Sequence, residues 1–301
     1  MISYLKLLRI LNCLIASFGV LAGSLIVFFY NKFNFSFEYF LTILLAMFAV
    51  FLITGAGNSI NDYVDVDSDR INKPNRPIPS GRISRNSALY FSLFLFLMGI
   101  LLSGFINWVC FFIALFNSFL LIIYSFNLQN KAFLGNVVVS YLVGSTFLFG
   151  GAALGSLSLP LILMVLAFFS NLSREIVKDL EDIEGDRNHF FKRFVSGIKI
   201  SIAERFKLTK SGIKMRYGVK KSLLFAELSL LIAVFLSPMP YFLKILGLGY
   251  LLLLIPTDLI FLYCVLKLTK SRKKKDFTHV SKTIKIGMVF ALLAFILGVL
   301  V

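Results

Sequence analysis

The feature that most constrains this chain is a series of nine apolar runs of roughly 20 residues, separated by short polar stretches. The runs cover about 10–30, 38–60, 86–106, 108–127, 136–153, 158–178, 218–237, 242–265 and 283–301. A helix needs about 20 mostly apolar residues to cross the hydrocarbon layer of a bilayer. We therefore predict an all-α polytopic membrane protein, in which one domain over residues 1–301 forms a bundle of nine transmembrane helices.

Composition excludes the other broad classes. Apolar residues make up 58% of the chain and charged residues 15%, which is incompatible with a disordered chain or a soluble enzyme. The runs lack the period of two that a transmembrane β-barrel requires. Cys13, Cys110 and Cys264 lie inside apolar runs without the spacing of a disulfide scaffold or a metal site. The first run is too long and too close to Met1 for a cleaved signal peptide, so we expect it to be a span.

The basic residues predict the orientation of the bundle. With the N-terminus inside, only Lys32 and Lys244 of the 31 basic residues fall outside, an extreme positive-inside bias. We expect a multi-pass protein of the cell membrane whose polar site faces the cytosol. The net charge of +16 then reflects topology and contact with anionic membrane lipid, and we expect no nucleic-acid partner.

The acidic residues are concentrated in two places. Of the 15 acidic residues, four lie in 61–70 and six in 175–186. In the first cluster Asn61, Asp65 and Asp69 are spaced by four, which places them on one helical face. In the second cluster the same spacing relates Arg174, Lys178, Asp182 and Asp186.

Topology predicts that these two clusters lie together, because they end the second and sixth spans and both spans run inward. Facing carboxylates suit a hard divalent cation, and Mg²⁺ in proteins commonly binds one or two carboxylates plus substrate phosphates. Arg174, Lys178, Lys73 and Arg76 supply the positive charge that a diphosphate would need. The alternative, a solvated cap of helix-end charges, does not explain the repeated spacing.

At these residues the chain resembles a known family. NDYVDVDSDRINKPNRPIPSG at 61–81 and REIVKDLEDIEGD at 174–186 are similar to the two signatures of the UbiA superfamily of intramembrane prenyltransferases. The resemblance covers nearly the whole chain. It implies Mg²⁺-dependent transfer of a prenyl group from an allylic diphosphate to an acceptor, with Asn61, Asp65, Asp69, Asp182 and Asp186 holding the metal.

The resemblance also suggests roles for residues around the metal. Asp62 and Asp179 lie beside the metal-binding positions, and either could orient the acceptor or accept its proton; a helix-end charge is the alternative for each. Tyr124 and Ser125 match a Tyr-Ser pair of the family. Gln129 stands where a basic residue is expected, and Lys131 could replace it as a phosphate contact or serve only as a positive-inside anchor. Arg9 and Asn12 resemble the N-terminal Arg-x-x-Asn of the family, although Asn12 could instead bond a neighbouring helix.

The motif segments most resemble those of archaeal family members that transfer geranylgeranyl from geranylgeranyl diphosphate to the free hydroxyl of geranylgeranylglyceryl phosphate. An aromatic acceptor, as in quinone, haem or chlorophyll prenylation, is the alternative within the family. An ion-coupled transporter is the alternative outside it, although transporter sites tend to lie near the membrane midplane. We expect the motifs to occupy cytosolic loops at about 61–86 and 179–217. The basic stretch 187–221 departs from the family and could form an interfacial helix or a lid.

Overall fold

The structure is a computed structural model that describes the backbone of residues 2–129, 132–195, 202–271 and 273–298. Within these ranges it describes all side chains except those of residues 2, 71–72, 132, 182–195 and 202–218. All the regular elements in the described ranges are helical, which confirms the predicted all-α class.

Twelve α-helices and one π-helical turn follow one another along the described chain. The elements are α1 Ile2–Leu8, α2 Ile10–Tyr30, α3 Phe37–Val64, α4 Val66–Asn72, α5 Arg85–Ile106, α6 Trp108–Ile123, the π turn Tyr124–Leu128, α7 Ala132–Ala153, α8 Ser158–Val195, α9 Ile202–Leu236, α10 Met239–Phe242, α11 Leu248–Lys270 and α12 Lys274–Gly298.

Nine stretches of the described helices are long and apolar enough to cross a membrane, as predicted. They lie in α2, α3, α5, α6 with the π turn, α7, α8, α9, α11 and α12. The two motif segments differ from the expected loops, because much of each is helical. α3 and α4 extend through residue 72, α8 continues to Val195, and α9 begins at Ile202. A helix satisfies its own backbone hydrogen bonds, so the motifs remain ordered extensions of the spans.

Three apolar clusters hold the spans together. One joins α2, α3, α5, α6 and α7 through residues such as Val20, Ile53 and Phe149. The second joins α8, α9, α11 and α12, and the third joins α2, α7 and α8 to α11 and α12. α2 and α7 belong to both the first and the third cluster, so they connect the helices of the first cluster to α8, α11 and α12. The polar site lies at one end of the bundle, where these two groups of helices meet.

Glycines allow α2 and α7 to approach each other closely. A Cβ atom on Gly23 would overlap the carbonyl oxygen of Phe147, and one on Gly150 would overlap that of Val20. Ser24 donates a 2.8 Å hydrogen bond to the Gly150 carbonyl across the same contact. Small residues at such positions are typical of helix packing in membranes, where apolar burial alone does not drive association.

Exposed aromatic side chains mark the end of the bundle opposite the motifs. Because consecutive spans alternate in direction, the α2–α3, α5–α6 and α9–α11 connections lie at this end. The largely exposed rings there are Phe35, Phe37, Phe105, Trp108, Phe235 and Phe242. Aromatic rings are enriched at the membrane–water interface, and we call these six residues the aromatic belt.

Candidate functional site

The first acidic motif lies at the junction of α3 and α4. Asp65 separates the two helices, yet the Asp65 amide donates to the Asn61 carbonyl at 2.9 Å and the Asp69 amide donates to the Asp65 carbonyl at 2.8 Å. The helical spacing of four therefore persists across the junction. Asn61, Asp65 and Asp69 lie along one helical path, as the sequence predicts.

Two arginines engage two of the motif's carboxylates. Arg76 lies 3.0 Å from Oδ1 of Asp62 and also pairs with Asp69, and Arg9 pairs with the same Oδ1 of Asp62. Asp62 and Asp69 are both buried. Buried charges are tolerated only when they are paired, so we call Arg9, Arg76, Asp62 and Asp69 the arginine cluster.

Backbone turns deliver both arginines to this cluster. Arg9 separates α1 from α2 with φ of 51° and ψ of 61°, the left-handed region that residues other than glycine adopt uncommonly. Arg76 begins a compact turn in which the Ser80 amide bonds the Arg76 carbonyl and the Ile83 amide bonds the Pro77 carbonyl. Ile78 and Ile83 bury against α1 and α4, and this packing fixes the Arg76 backbone.

Asp65 and Asn61 have different surroundings. Gln129, just after the π turn, donates from Nε2 to Oδ1 of Asp65 at 2.6 Å. Oδ1 of Asn61 is buried and lacks a hydrogen-bond partner within the described structure. An unpaired buried oxygen is costly. Since amide and carboxylate oxygens are the ligands that Mg²⁺ prefers, these residues fit a bound Mg²⁺ ion.

The second motif carries a cation pair held by a carboxylate. Oε1 of Glu175 accepts from Nη1 of Arg174 at 2.6 Å, and Oε2 accepts from Nζ of Lys178 at 2.7 Å. Nε of Arg174 is buried without a hydrogen-bond partner in the described structure. Asp179, the residue after Lys178, accepts a 2.8 Å hydrogen bond from Nδ2 of Asn136 on α7.

Tyr124 shows that the two motifs meet. Three carboxylates lie within electrostatic range of the Tyr124 hydroxyl, as does Arg9: those of Glu175 and Asp179 on α8 and that of Asp65 at the α3–α4 junction. Tyr124 begins the π turn, and π-helical turns are frequent at functional sites. The structure thus brings the described parts of both motifs to one end of the bundle.

Three other predicted residues contribute less to this arrangement. Ser125 is buried and donates to the Leu121 carbonyl at 3.0 Å, so its hydroxyl is engaged within its own helix. Lys73 is exposed at the end of α4, and Asn12 is exposed on the first turn of α2. The Asn12 position does not support the alternative of an interhelical hydrogen bond.

Part of the predicted site lies outside the described residues. This part comprises Lys131, a predicted phosphate contact, and the side chains of Asp182 and Asp186, which are predicted metal ligands. Among the side chains that the structure does describe, no three His, Cys, Asp or Glu residues form a group that could hold a metal ion. The described half of the site offers Asn61, Asp65 and Asp69, with Asp69 paired to Arg76.

Sequence reasoning did not assign roles to three residues of this site, Gln129, Asn136 and Glu175. Asn136 carried a usable signal, because a polar residue at the start of an apolar span often bonds a neighbouring helix. Glu175 lies within the second acidic cluster, but it is not one of the residues that are spaced by four. Gln129 is placed by the π turn, which sequence spacing does not reveal.

The nine apolar helices of the described residues, with acidic and basic side chains together at one end, are those of a polytopic membrane protein. Residues 16–286 match the UbiA prenyltransferase family. The chain belongs to this family.

Similar proteins extend the comparison over the full length. Digeranylgeranylglyceryl phosphate synthase from Methanococcus aeolicus is 42% identical over 295 residues, covering 98% of this chain and 96% of the relative. The same enzyme from Methanosarcina mazei is 43% identical over 305 residues, with 99% and 98% covered. A solved structure concerned with digeranylgeranylglyceryl phosphate synthase in membranes is 40% identical, with a TM-score of 0.77, and covers 99% of this chain and 97% of its own.

A more distant solved structure has the same fold. A UbiA homologue from Archaeoglobus fulgidus bound to GPP and Mg²⁺ aligns with a TM-score of 0.62 at 16% identity, covering 97% of this chain and 99% of its own.

Proposed function

We propose that this protein transfers the geranylgeranyl group of geranylgeranyl diphosphate to the free hydroxyl of geranylgeranylglyceryl phosphate, releasing diphosphate, in archaeal ether-lipid synthesis. The observation that carries the proposal is identity of about 40% over nearly the full length to relatives named digeranylgeranylglyceryl phosphate synthase. The meeting of both acidic motifs at one end of the bundle supports a shared diphosphate site.

Mg²⁺ is the cofactor of the proposed reaction. The UbiA homologue from Archaeoglobus fulgidus binds Mg²⁺ together with GPP or DMAPP, and the donor set of this chain suits the same ion. The residues that would hold the ion are Asn61, Asp65, Asp69, Asp182 and Asp186. When bound, Mg²⁺ neutralises charge that develops on a departing diphosphate.

The cations of the second motif would bind phosphate oxygens. Glu175 holds Arg174 and Lys178 on the same side of α8, and the buried Nε of Arg174, which has no hydrogen-bond partner among the described residues, would donate to an anionic ligand. A hydrogen bond between a charged donor and an ionised phosphate is about twice as strong as a neutral one. These residues would therefore orient the diphosphate so that its bond to C1 of the prenyl chain can break.

The acceptor hydroxyl must lose a proton as its oxygen bonds C1 and the bond from C1 to the diphosphate oxygen breaks. Asp62 and Asp179 are the candidates for accepting this proton. Asp62 is engaged by two guanidinium groups, and Asp179 accepts a hydrogen bond from Nδ2 of Asn136.

The positive-inside bias supports a cytosolic site. In this orientation the N-terminus lies inside, and the motifs of α3, α4 and α8 face the cytosolic leaflet of the cell membrane. The polar substrate heads would bind there, while both prenyl chains would remain among apolar helices and lipid. Exclusion of water from that region would protect the reacting prenyl carbon from hydrolysis.

Three aspartate variants test the shared site. Asp65→Ala and Asp182→Ala should each abolish Mg²⁺-dependent turnover, with strongly non-additive losses in the double variant, because both residues serve one bound group. Asp67→Ala is the matched control, because Asp67 is exposed and contacts only the exposed Arg70 at 3.4 Å among the ion pairs described. Turnover is measured with labelled geranylgeranyl diphosphate. Substantial activity in either single variant, or turnover without Mg²⁺, would contradict the assignment.

The acceptor is tested with Lys131→Ala. A charge-assisted hydrogen bond to phosphate is worth about 1.5–3 kcal/mol, so loss of one should raise the acceptor KM roughly 10- to 100-fold. The KM for geranylgeranyl diphosphate should change little. Equal changes in both KM values would place Lys131 at the diphosphate instead. Wild-type prenylation of 4-hydroxybenzoate, without activity on the glyceryl phosphate, would favour the aromatic acceptor.

A further inference from the structure

We infer that Asn58 is a positioning residue, which directs the Arg9 guanidinium into the site by holding the corner between α1 and α2. The inference rests on the proposed function, because Arg9 engages Asp62, a candidate for accepting the acceptor proton. Asn58 lies on α3, about one helical turn before Asp62, and it precedes the first acidic motif.

The corner leaves one backbone carbonyl without its helical partner. In a continuous helix the Leu8 carbonyl would accept from the Asn12 amide, four residues further on. At the corner the Asn12 amide donates instead to the Arg9 carbonyl at 2.7 Å, and Leu8 is buried. A buried carbonyl without a donor is costly. The left-handed backbone at Arg9 therefore needs another donor for the Leu8 carbonyl.

Asn58 supplies that donor from a distant part of the chain. Its Nδ2 lies 2.8 Å from the Leu8 carbonyl oxygen, 50 residues away in sequence. The Cys13 thiol approaches the same oxygen, with Sγ at 3.1 Å, but a thiol is a weak hydrogen-bond donor. Asn58 is therefore the stronger of the two side-chain donors that stabilise the corner against a continuous helix.

One face of α3 contacts the corner at three positions. Gly55, Asn58 and Asp62 are spaced by three and four residues, which places them on the same helical face. Gly55 leaves room for Leu8, because a Cβ atom there would stand 2.5 Å from Cδ2 of Leu8. Asn58 then binds the Leu8 carbonyl, and Asp62 pairs with Arg9. The bond to Leu8 thus fixes the backbone from which the Arg9 side chain extends.

α1 is held in place by separate contacts. Leu7 is fully buried against residues of α4 and of the turn that follows it, such as Val66 and Ile83. This packing is apolar and does not involve the Leu8 carbonyl. Removal of the Asn58 donor should therefore leave α1 docked and disturb mainly the short segment that carries Arg9.

The experiment compares Asn58→Leu with the matched control Asn107→Leu. Nδ2 of Asn107 also donates to a backbone carbonyl, that of Ala152 at 2.9 Å, but at the opposite end of the bundle. Its Oδ1 accepts from the Cys110 amide at 2.8 Å, so its loss should destabilise the protein at least as much. Each substitution is made in wild type and in Arg9→Met. Unfolding temperatures of the detergent-solubilised full chains are recorded, and kcat/KM is measured for the single asparagine variants with both proposed substrates.

Asn58→Leu should lower kcat/KM roughly 10- to 100-fold, because a small displacement of a site group has effects of this size. Asn107→Leu should keep the wild-type kcat/KM although it is destabilised. Asn58→Leu should also lower the unfolding temperature, and the drop should be roughly 2–4 °C smaller in Arg9→Met, where the pairing with Asp62 is already absent. The drop for Asn107→Leu should be the same in both backgrounds.

The two hypotheses fail in distinguishable ways. A wild type without turnover on the proposed substrates would overturn the proposed function, whereas the unfolding temperatures would still test the link between Asn58 and Arg9. Equal drops for Asn58→Leu in both backgrounds would overturn the positioning role, and so would a wild-type kcat/KM in this variant of an active enzyme. Asn58→Ala removes the same donor and replaces Asn58→Leu in every comparison if the latter does not fold.

Discussion

Removal of the Arg76 guanidinium should destabilise the protein by much more than removal of an exposed arginine. The side chains of Arg76, Asp62 and Asp69 retain only 23%, 4% and 5% of their exposure. Arg76→Met leaves Asp69 buried without the cation that pairs with it, whereas Asp62 keeps Arg9. Breaking a buried ion pair in this way typically costs about 3–5 kcal/mol, and we expect a loss in that range.

The matched control is Arg70→Met. Arg70 pairs with Asp67 within the same motif, but their side chains are 67% and 74% exposed, so the loss should be about 0–1 kcal/mol. Free energies of unfolding are measured by equilibrium denaturation in mixed micelles, followed by circular dichroism. Neutralising both partners in Arg76→Met/Asp69→Asn should recover much of the loss, because no unpaired buried charge remains. Equal losses in the two single arginine variants would refute the reasoning.

Two further predictions concern topology and packing. Single cysteines at Asn34 and Lys274, both exposed, should be labelled from opposite sides of the membrane against a background of three buried native cysteines; labelling of both from one side would contradict the positive-inside orientation. Gly23→Ala should cost about 1–3 kcal/mol through overlap with α7, whereas Gly104→Ala, whose Cβ atom would meet only Phe111 at 3.4 Å, should be neutral or stabilising in the same unfolding assay.

The helical spans and the meeting of the motifs were predictable because both depend on local patterns. Runs of about 20 apolar residues determine a span wherever it occurs in the chain. Spacing by four places Asn61, Asp65 and Asp69 along one face whether or not the helix bends at Asp65. The alternation of spans then brings the ends of α3 and α8 to one side, since both run in the same direction.

The pairings within the site were less predictable because they depend on turns. The prediction that Arg76 contacts a diphosphate stays a prediction, and spacing alone does not reveal that the chain after α4 also places Arg76 beside Asp62 and Asp69. Arg9 reaches Asp62 only through a left-handed backbone conformation. The π turn shifts the helical register by one residue, so a count of 3.6 residues per turn from α6 does not place Gln129 beside Asp65.

The aromatic belt and the length of α3 together determine the depth of the site. α3 begins at Phe37 in the belt and has 28 residues, so Asp65 lies about 42 Å away along the helix. That distance is close to the thickness of a bilayer including its headgroups, about 40–45 Å. An α3 perpendicular to the membrane would therefore place the site in the headgroup layer, where the phosphates of the proposed amphiphilic substrates would lie. Such an enzyme would follow surface-dilution kinetics: its rate would depend on the mole fraction of substrate in the lipid, and added inert lipid would slow it at constant bulk concentration.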